Sequence, residues 1–437
     1  MVGHYSWTWV EARVAETSAI WAACAGQRIP ESRRYTAGEQ QQREQAWDDA
    51  ADGVERELRQ PRAHRTQAAR RETQKRIMSA FARFSAVALD LSEDAIDLLT
   101  HDFLPAGTRL ARWARHFDPA LSMPDIIQAC RNAWTACGLQ PLLGQRVELT
   151  PSILGYSMLY PYSDNFLDRE TLAADAKLRT SRRFRERLRG EGLSAENELE
   201  TALWALVELV EGQYPRARFP DVFDCLLAIH RAQEHSLAQV HSAASEPDLL
   251  LLSCAKGGSS VLADACLARG WLTEQESRFA FNWGVLLQLG DDVQDVREDL
   301  ERGSMTLFSG PASRRDRLDE RVIQLLTFAD YVGREMEAMQ SGSPMLKGLL
   351  RMSWRSLILM AVAASHRHFS LQFLAEAEAF SPFRFEFLRE RRERLTGRQG
   401  LYAMLFDALV EPPAEGEASG PETRSPVAST AFDLPSA

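Results

Sequence analysis

The chain has no pair of cysteines at CxxC or CxxH spacing. Its six cysteines stand at 24, 130, 137, 225, 254 and 266, a pattern that argues against a zinc ribbon or a thioredoxin-type site and points to reduced core residues of a cytoplasmic protein. Positive charge is in short supply. Lys and Arg number 51 against 61 Asp and Glu, a formal net charge of −10, and the basic stripe that a nucleic-acid partner needs is missing. The longest apolar run, residues 356–364, is too short to cross a bilayer, so no transmembrane segment is expected. Glu11, Arg13 and Glu16 fall where a signal peptide would carry its apolar centre, so none is expected there. No stretch alternates polar and apolar residues over a useful length, and no internal repeat is evident.

What remains is helical. With 437 residues and 45% hydrophobic side chains there is material for a large core, and apolar residues recur at helical spacing from Thr73 onward. The expected fold class is all-α, with ten or more helices. Residues 1–66 are polar and read as weakly ordered or peripheral, only the stretch from Tyr5 to Ala25 being able to pack. Residues 67–410 form the all-α domain. Residues 411–437, rich in Pro, Glu, Ser and Ala, read as a disordered tail.

Two acidic stretches carry the chemistry. In Leu286-Leu-Gln-Leu-Gly-Asp-Asp-Val-Gln-Asp-Val-Arg-Glu-Asp-Leu-Glu-Arg302 an apolar helix runs into a block of acid. Thr273, with Glu276 in capping-box position, is the expected start and Gly303 the expected end of one long helix. On it Gln288, Asp291, Asp295 and either Glu298 or Asp299 share a stripe. An acidic run is ordinarily a solvated face, but this one continues the face of Gly284, Leu287 and Gln288. Stacked carboxylates beside an apolar wall would take up protons unless a cation neutralised them, and carboxylate oxygens suit Mg²⁺. The second stretch, Tyr160-Pro-Tyr-Ser-Asp-Asn-Phe-Leu-Asp168, sets Asp164 and Asp168 one turn apart at the end of a helix started by Thr150-Pro151. Facing each other across a bundle, the two helices would gather carboxylates at the rim of a cavity walled by Ile153, Leu154, Ser157, Tyr160, Gly284, Leu287 and Gln288.

Cations that could meet an anionic ligand are fewer. Lys256 stands beside two glycines in Ser253-Cys-Ala-Lys-Gly-Gly-Ser-Ser260, which reads as an interruption of a helix. Either a phosphate contact or a close helix crossing explains the glycines, and only the former explains the lysine. Arg231 and Arg297 are further candidates for diphosphate binding. The six arginines between Arg179 and Arg189 read mostly as solvated, with room for one or two to fold over an anion. His230 and His235 do not make a metal-binding face.

Gln288-Leu-Gly-Asp-Asp-Val-Gln-Asp295 resembles the second aspartate-rich motif of trans-prenyltransferases in the class I isoprenoid synthase superfamily. Read from Asp295 to Gly303, the same stretch is also similar to the second motif of squalene and phytoene synthases. Asp164-Asn-Phe-Leu-Asp168 resembles the DxxxD first motif of that branch. The resemblance spans about residues 150–370. It implies a helical bundle with an active-site cavity in its core, more than one Mg²⁺ held by Asp164, Asp168, Asp291, Asp292, Asp295 and Asp299, and a prenyl diphosphate substrate. It also implies catalytic roles for Asp164, Asp168, Asp291 and Asp295. A Gly-Gly-Lys-Arg segment upstream of Asp164, typical of chain-elongating members, is absent, as is the Asn/Ser/Glu triad of microbial cyclases. The expected activity is a terpene synthase; a prenyl-elongating or prenyl-coupling transferase and a non-catalytic helical binding protein are the alternatives. A homodimer is left open.

Overall fold

Side-chain oxygens that cap backbone N–H groups start nine of the helices. Ser6, Thr36, Ser92, Ser122, Asn197, Ser245, Thr273, Ser343 and Ser370 each accept from an N–H of the first turn, and those at 36, 122, 245 and 273 close full capping boxes. In this computed structural model, which describes residues 5–60, 67–168, 174–239, 245–396 and 399–410, they give an all-α protein, with no strand among the described residues.

The helices are α1 (Trp7–Ala23), α2 (Ala37–Leu58), α3 (Gln67–Ala88), α4 (Glu93–Asp97), α5 (Leu104–Phe117), α6 (Met123–Leu142), α7 (Pro151–Asp168), α8 (Ala174–Leu188), α9 (Glu198–Gln213) and α10 (Pro220–Gln239). They continue with α11 (Glu246–Arg269), α12 (Glu274–Gln294), α13 (Val296–Arg302), α14 (Ser309–Ser313), α15 (Asp319–Glu337), α16 (Pro344–Ala364), α17 (Leu371–Glu378), α18 (Phe385–Thr396) and α19 (Gln399–Val410). A π-helical turn, Leu98–Phe103, joins α4 to α5.

The centre of the bundle is α11. It packs on α12, α10, α6, α1 and α7, and nearly every residue from Cys254 to Ala268 is buried. Among the described residues it is also the one helix long and apolar enough to cross a membrane, with two thirds of its apolar window buried in the bundle. Its length escaped the search for apolar runs because Asp248, Lys256 and Asp264 divide it.

Several local expectations change. Within residues 1–66, the stretch from Tyr5 to Ala25 that was expected to pack holds α1, whose Val10, Val14 and Trp21 are buried with Tyr5 in the main core, where α1 packs on α11. Helix α2 pairs with α3, and Arg43 reaches the carbonyl of Ala88 while Glu44 grips Arg384. Helix α11 runs unbroken through Gly257 and Gly258. The long acidic helix is interrupted at Asp295, whose backbone (φ −96°, ψ 6°) divides α12 from α13 before Gly303 closes α13 in the left-handed region. The expected tail at 411–437 lies outside the described residues. All six cysteines are free and buried, as expected of core thiols.

Candidate functional site

The glycines of α11 and α12 set the site's frame. A Cβ on Gly257 would lie 2.5 Å from the Gly284 carbonyl oxygen, and one on Gly284 or Gly258 would collide with the Gly257 carbonyl or the Phe281 ring. Only hydrogen fits at this crossing, which accounts for the cost of mid-helix glycine. It locks the first half of α11 onto the last half of α12. Ser253 Oγ then donates to Asp292 Oδ2 (3.0 Å) and Gln288 Nε2 to Asp292 Oδ1 (2.9 Å). Burial pushes the Asp292 carboxyl up to about 7, against the pull of those two donors.

Asp291, Asp295 and Asp299 follow along the same helices, with carboxyl groups all above the usual range. Burial is the first cause in each case. Asp295 adds repulsion at Asp291 and Asp299, Glu298 adds it at Asp295, and Asp299 reaches about 6. Four cations oppose this. Arg131 on α6 donates from Nη2 to Asp291 Oδ1 (3.2 Å), half-buried Lys256 acts on both Asp291 and Asp299, Arg302 acts on Asp299 and Arg392 on Asp295. The carboxyl groups stay raised all the same. Their oxygens are all hard donors, which fits a divalent cation, and the basic side chains already stand in for part of that charge. Among the described residues no three acids converge as a ready metal-binding group. That suits Mg²⁺ only in its habitual mode, held by one or two carboxylates, its own waters and a phosphate.

Helix α7 is placed by its bonds to α11. Ser152 Oγ donates to the Leu267 carbonyl (3.2 Å), Tyr156 OH to the Ser260 carbonyl (3.2 Å), and Tyr160 OH pairs with Ser260 Oγ. Rising numbers on α7 meet falling numbers on α11, and the same holds for α12, where Gly284 meets Gly257 and Asp292 meets Ser253. Helices α7 and α12 therefore run parallel and end at the same end of the bundle. The side chains of Asp164 and Asp168 lie outside the described residues.

The expected cavity between these helices is occupied. Helices α6 and α11 pack directly on each other, with Asn132 Nδ2 donating to Asp264 Oδ1 and to Ser157 Oγ (3.1 Å each). Ile153, Leu154 and Ser157 are buried in that packing, Gly284 lies under Gly257, and Leu287 is half-buried against the core. Tyr160 does line a cavity, with Tyr156, Ser163, Phe184 and His230 among its walls, but its volume is about 20 Å³, room for one water at most. A larger groove between α2 and α3, floored by Phe84 and Val87, contains none of the acidic-motif residues.

Two proposed diphosphate contacts are not at this rim. Arg231 stacks on Trp7 of α1 (4.6 Å), and Arg297 points to solvent beside Glu301 (3.3 Å). The α8 arginines are mostly tied to glutamates rather than free for an anion: Arg179 and Arg183 to Glu196, Arg183 also to Glu200, Arg185 to Glu234 and Arg187 to Glu211. His230 bonds to Ser181 in the same layer, a structural role.

Sequence reading missed Arg131, Asn132, Ser253 and Asp264. Asp264 had a signal: it is the lone acid in the apolar run Val261-Leu-Ala-Asp-Ala-Cys-Leu-Ala268. Fully buried, with no hydrogen-bond partner for Oδ2 among the described residues, its carboxyl is pushed well above the ordinary range. Arg131 and Asn132 had none, because their roles appear only when α6 meets α11 and α12. Compared with known proteins, the chain matches no family model, no curated protein and no solved structure.

Proposed function

We propose that the protein is a Mg²⁺-dependent enzyme that ionises an allylic prenyl diphosphate, and that it works as a terpene synthase. The observation that carries this reading is the parallel arrangement of α7 and α12, which ends two acidic helices at one end of the bundle, where Lys256 and Arg131 stand beside an under-neutralised aspartate stripe. When bound, Mg²⁺ supplies positive charge to the departing diphosphate. Asp291, Asp295 and Asp299, with Asp164 and Asp168, would hold the ions by one or two carboxylates each, and Lys256 would neutralise diphosphate oxygens. The apolar side chains below the rim exclude water from the cation left behind.

A terpene synthase is preferred over a transferase because the α8 arginines, the nearest source of a second anion site in the sequence, are engaged with glutamates. The filled interior favours a second reading, a helical protein without catalysis. Incubation with Mg²⁺ and C10, C15 and C20 allylic diphosphates, with and without isopentenyl diphosphate, separates the readings. A hydrocarbon or terpene alcohol from one diphosphate alone is expected. A longer prenyl diphosphate or a joined product means a transferase, and no release of diphosphate from any substrate favours the non-catalytic protein.

A further inference from the structure

We infer that Arg131 is a built-in counter-ion of the aspartate stripe, which leaves Asp291 when metal and diphosphate arrive and then binds the diphosphate. The inference rests on the diphosphate-ionising reading and adds to it a residue and an exchange of partners.

Arg131 comes from a helix that neither acidic motif occupies. Its neighbour Asn132 is turned inward and held by Ser157 and Asp264, which anchors this turn of α6. Arg131 is turned outward to Asp291, with Nη2 3.2 Å from Oδ1, and about half of each side chain is open to solvent. Such a pair is weak and is readily displaced by a stronger cation. Lys256 of α11 also acts on Asp291 and Asp299, so a ligand bound along the aspartates would meet cations from two helices. Of the two, the planar guanidinium is the better match to a phosphate's paired oxygens.

Two binding measurements on the full-length protein, neither of which needs turnover, test this exchange. Mn²⁺ is titrated without substrate and followed by electron paramagnetic resonance. Inorganic pyrophosphate is titrated by calorimetry at saturating Mg²⁺. Removing the competing cation in Arg131→Gln should tighten Mn²⁺ binding by about 2- to 5-fold, while loss of the charge-assisted contact should weaken pyrophosphate by about 10-fold or more. Arg131→Lys, which keeps the charge, should leave Mn²⁺ near the wild-type value and recover part of the pyrophosphate affinity. If wild type binds Mn²⁺ and Arg131→Gln binds it equally or more weakly, the counter-ion role is wrong and the metal site stands. If wild type binds no Mn²⁺, both fail. Because Arg131 is half-exposed, a circular dichroism melt matching wild type will show that the variants are folded.

Discussion

Charge is organised in opposite ways in two parts of this bundle. Around α8, Arg183 reaches Glu196 and Glu200, Arg185 meets Glu234, and Arg187 meets Glu211, which also takes Arg216. Glu200 and Glu211 are held below the ordinary carboxylate range even though burial works against this. Along α12 and α13, four aspartates are held above that range even though Arg131, Lys256, Arg302, Arg392 and a few hydrogen-bond donors oppose their crowding. The first pattern is what structural ion pairs look like, complete within the protein. The second is incomplete within the protein, and it is the incompleteness that points to a ligand carrying positive charge.

If the difference is functional, the two regions respond differently to substitution. Asp295→Ala, which removes a carboxylate at the helix interruption, should lower turnover of an allylic diphosphate by at least about 100-fold, with helix content unchanged by circular dichroism. Wild-type activity in excess chelator would remove the metal from the account. Arg185→Ala, in the balanced region, should leave turnover near wild type. The frame beneath the site is tested by Gly284→Ala, whose Cβ would collide with the Gly257 carbonyl. Backbone cannot step aside cheaply, so a loss of about 3 kcal/mol in stability is expected from denaturant unfolding. Lys256→Ala should reduce kcat/KM by about 10- to 100-fold; an unchanged value would assign Lys256 to the rim's electrostatics alone.

Helix type and caps were legible because they depend on residues close in sequence. Thr273 with Glu276 caps as expected, and Gly303 ends the acidic stretch, although a break at Asp295 divides the helix before it. What depends on which helix meets which was not legible. Gly138 does not end α6, which continues to Leu142 and packs there against Trp283 and Leu350. Gly257 and Gly258 fitted either an anion contact or a helix crossing in the sequence, and the crossing is what they make. The aspartate stripe was readable from three- and four-residue spacing, but its opposing cation was not, since Arg131 is separated from Asp291 by 160 positions. Arg297 lies between Asp295 and Asp299 in sequence yet sits beside Glu301 in solvent, because a charge near a motif in sequence need not face it, and Arg231 stacks on Trp7.

The smallest expected effect is on the pH dependence of stability, where the two regions act with opposite sign. Asp292 is pushed up from 3.8 to about 7 and Asp299 to about 6. The folded protein therefore holds these protons more tightly than the unfolded chain. Where the folded state binds more protons, stability falls as pH rises, and for these groups the fall runs from near pH 4 to near pH 7. Glu200 and Glu211, with lowered values, contribute stability that is already complete above the ordinary value of 4.5 and is lost only in more acidic solution. Between pH 5 and 8 the α8 pairs are flat and the rim supplies a downward slope. The metal-free protein carrying Asp292→Asn should accordingly lose less Tm between pH 5 and pH 8 than wild type, whereas Arg187→Ala should shift Tm by a similar amount at both pH values. An unchanged slope in Asp292→Asn would mean that its carboxyl is already neutralised within the fold, and the contrast between the two regions would lose its physical basis.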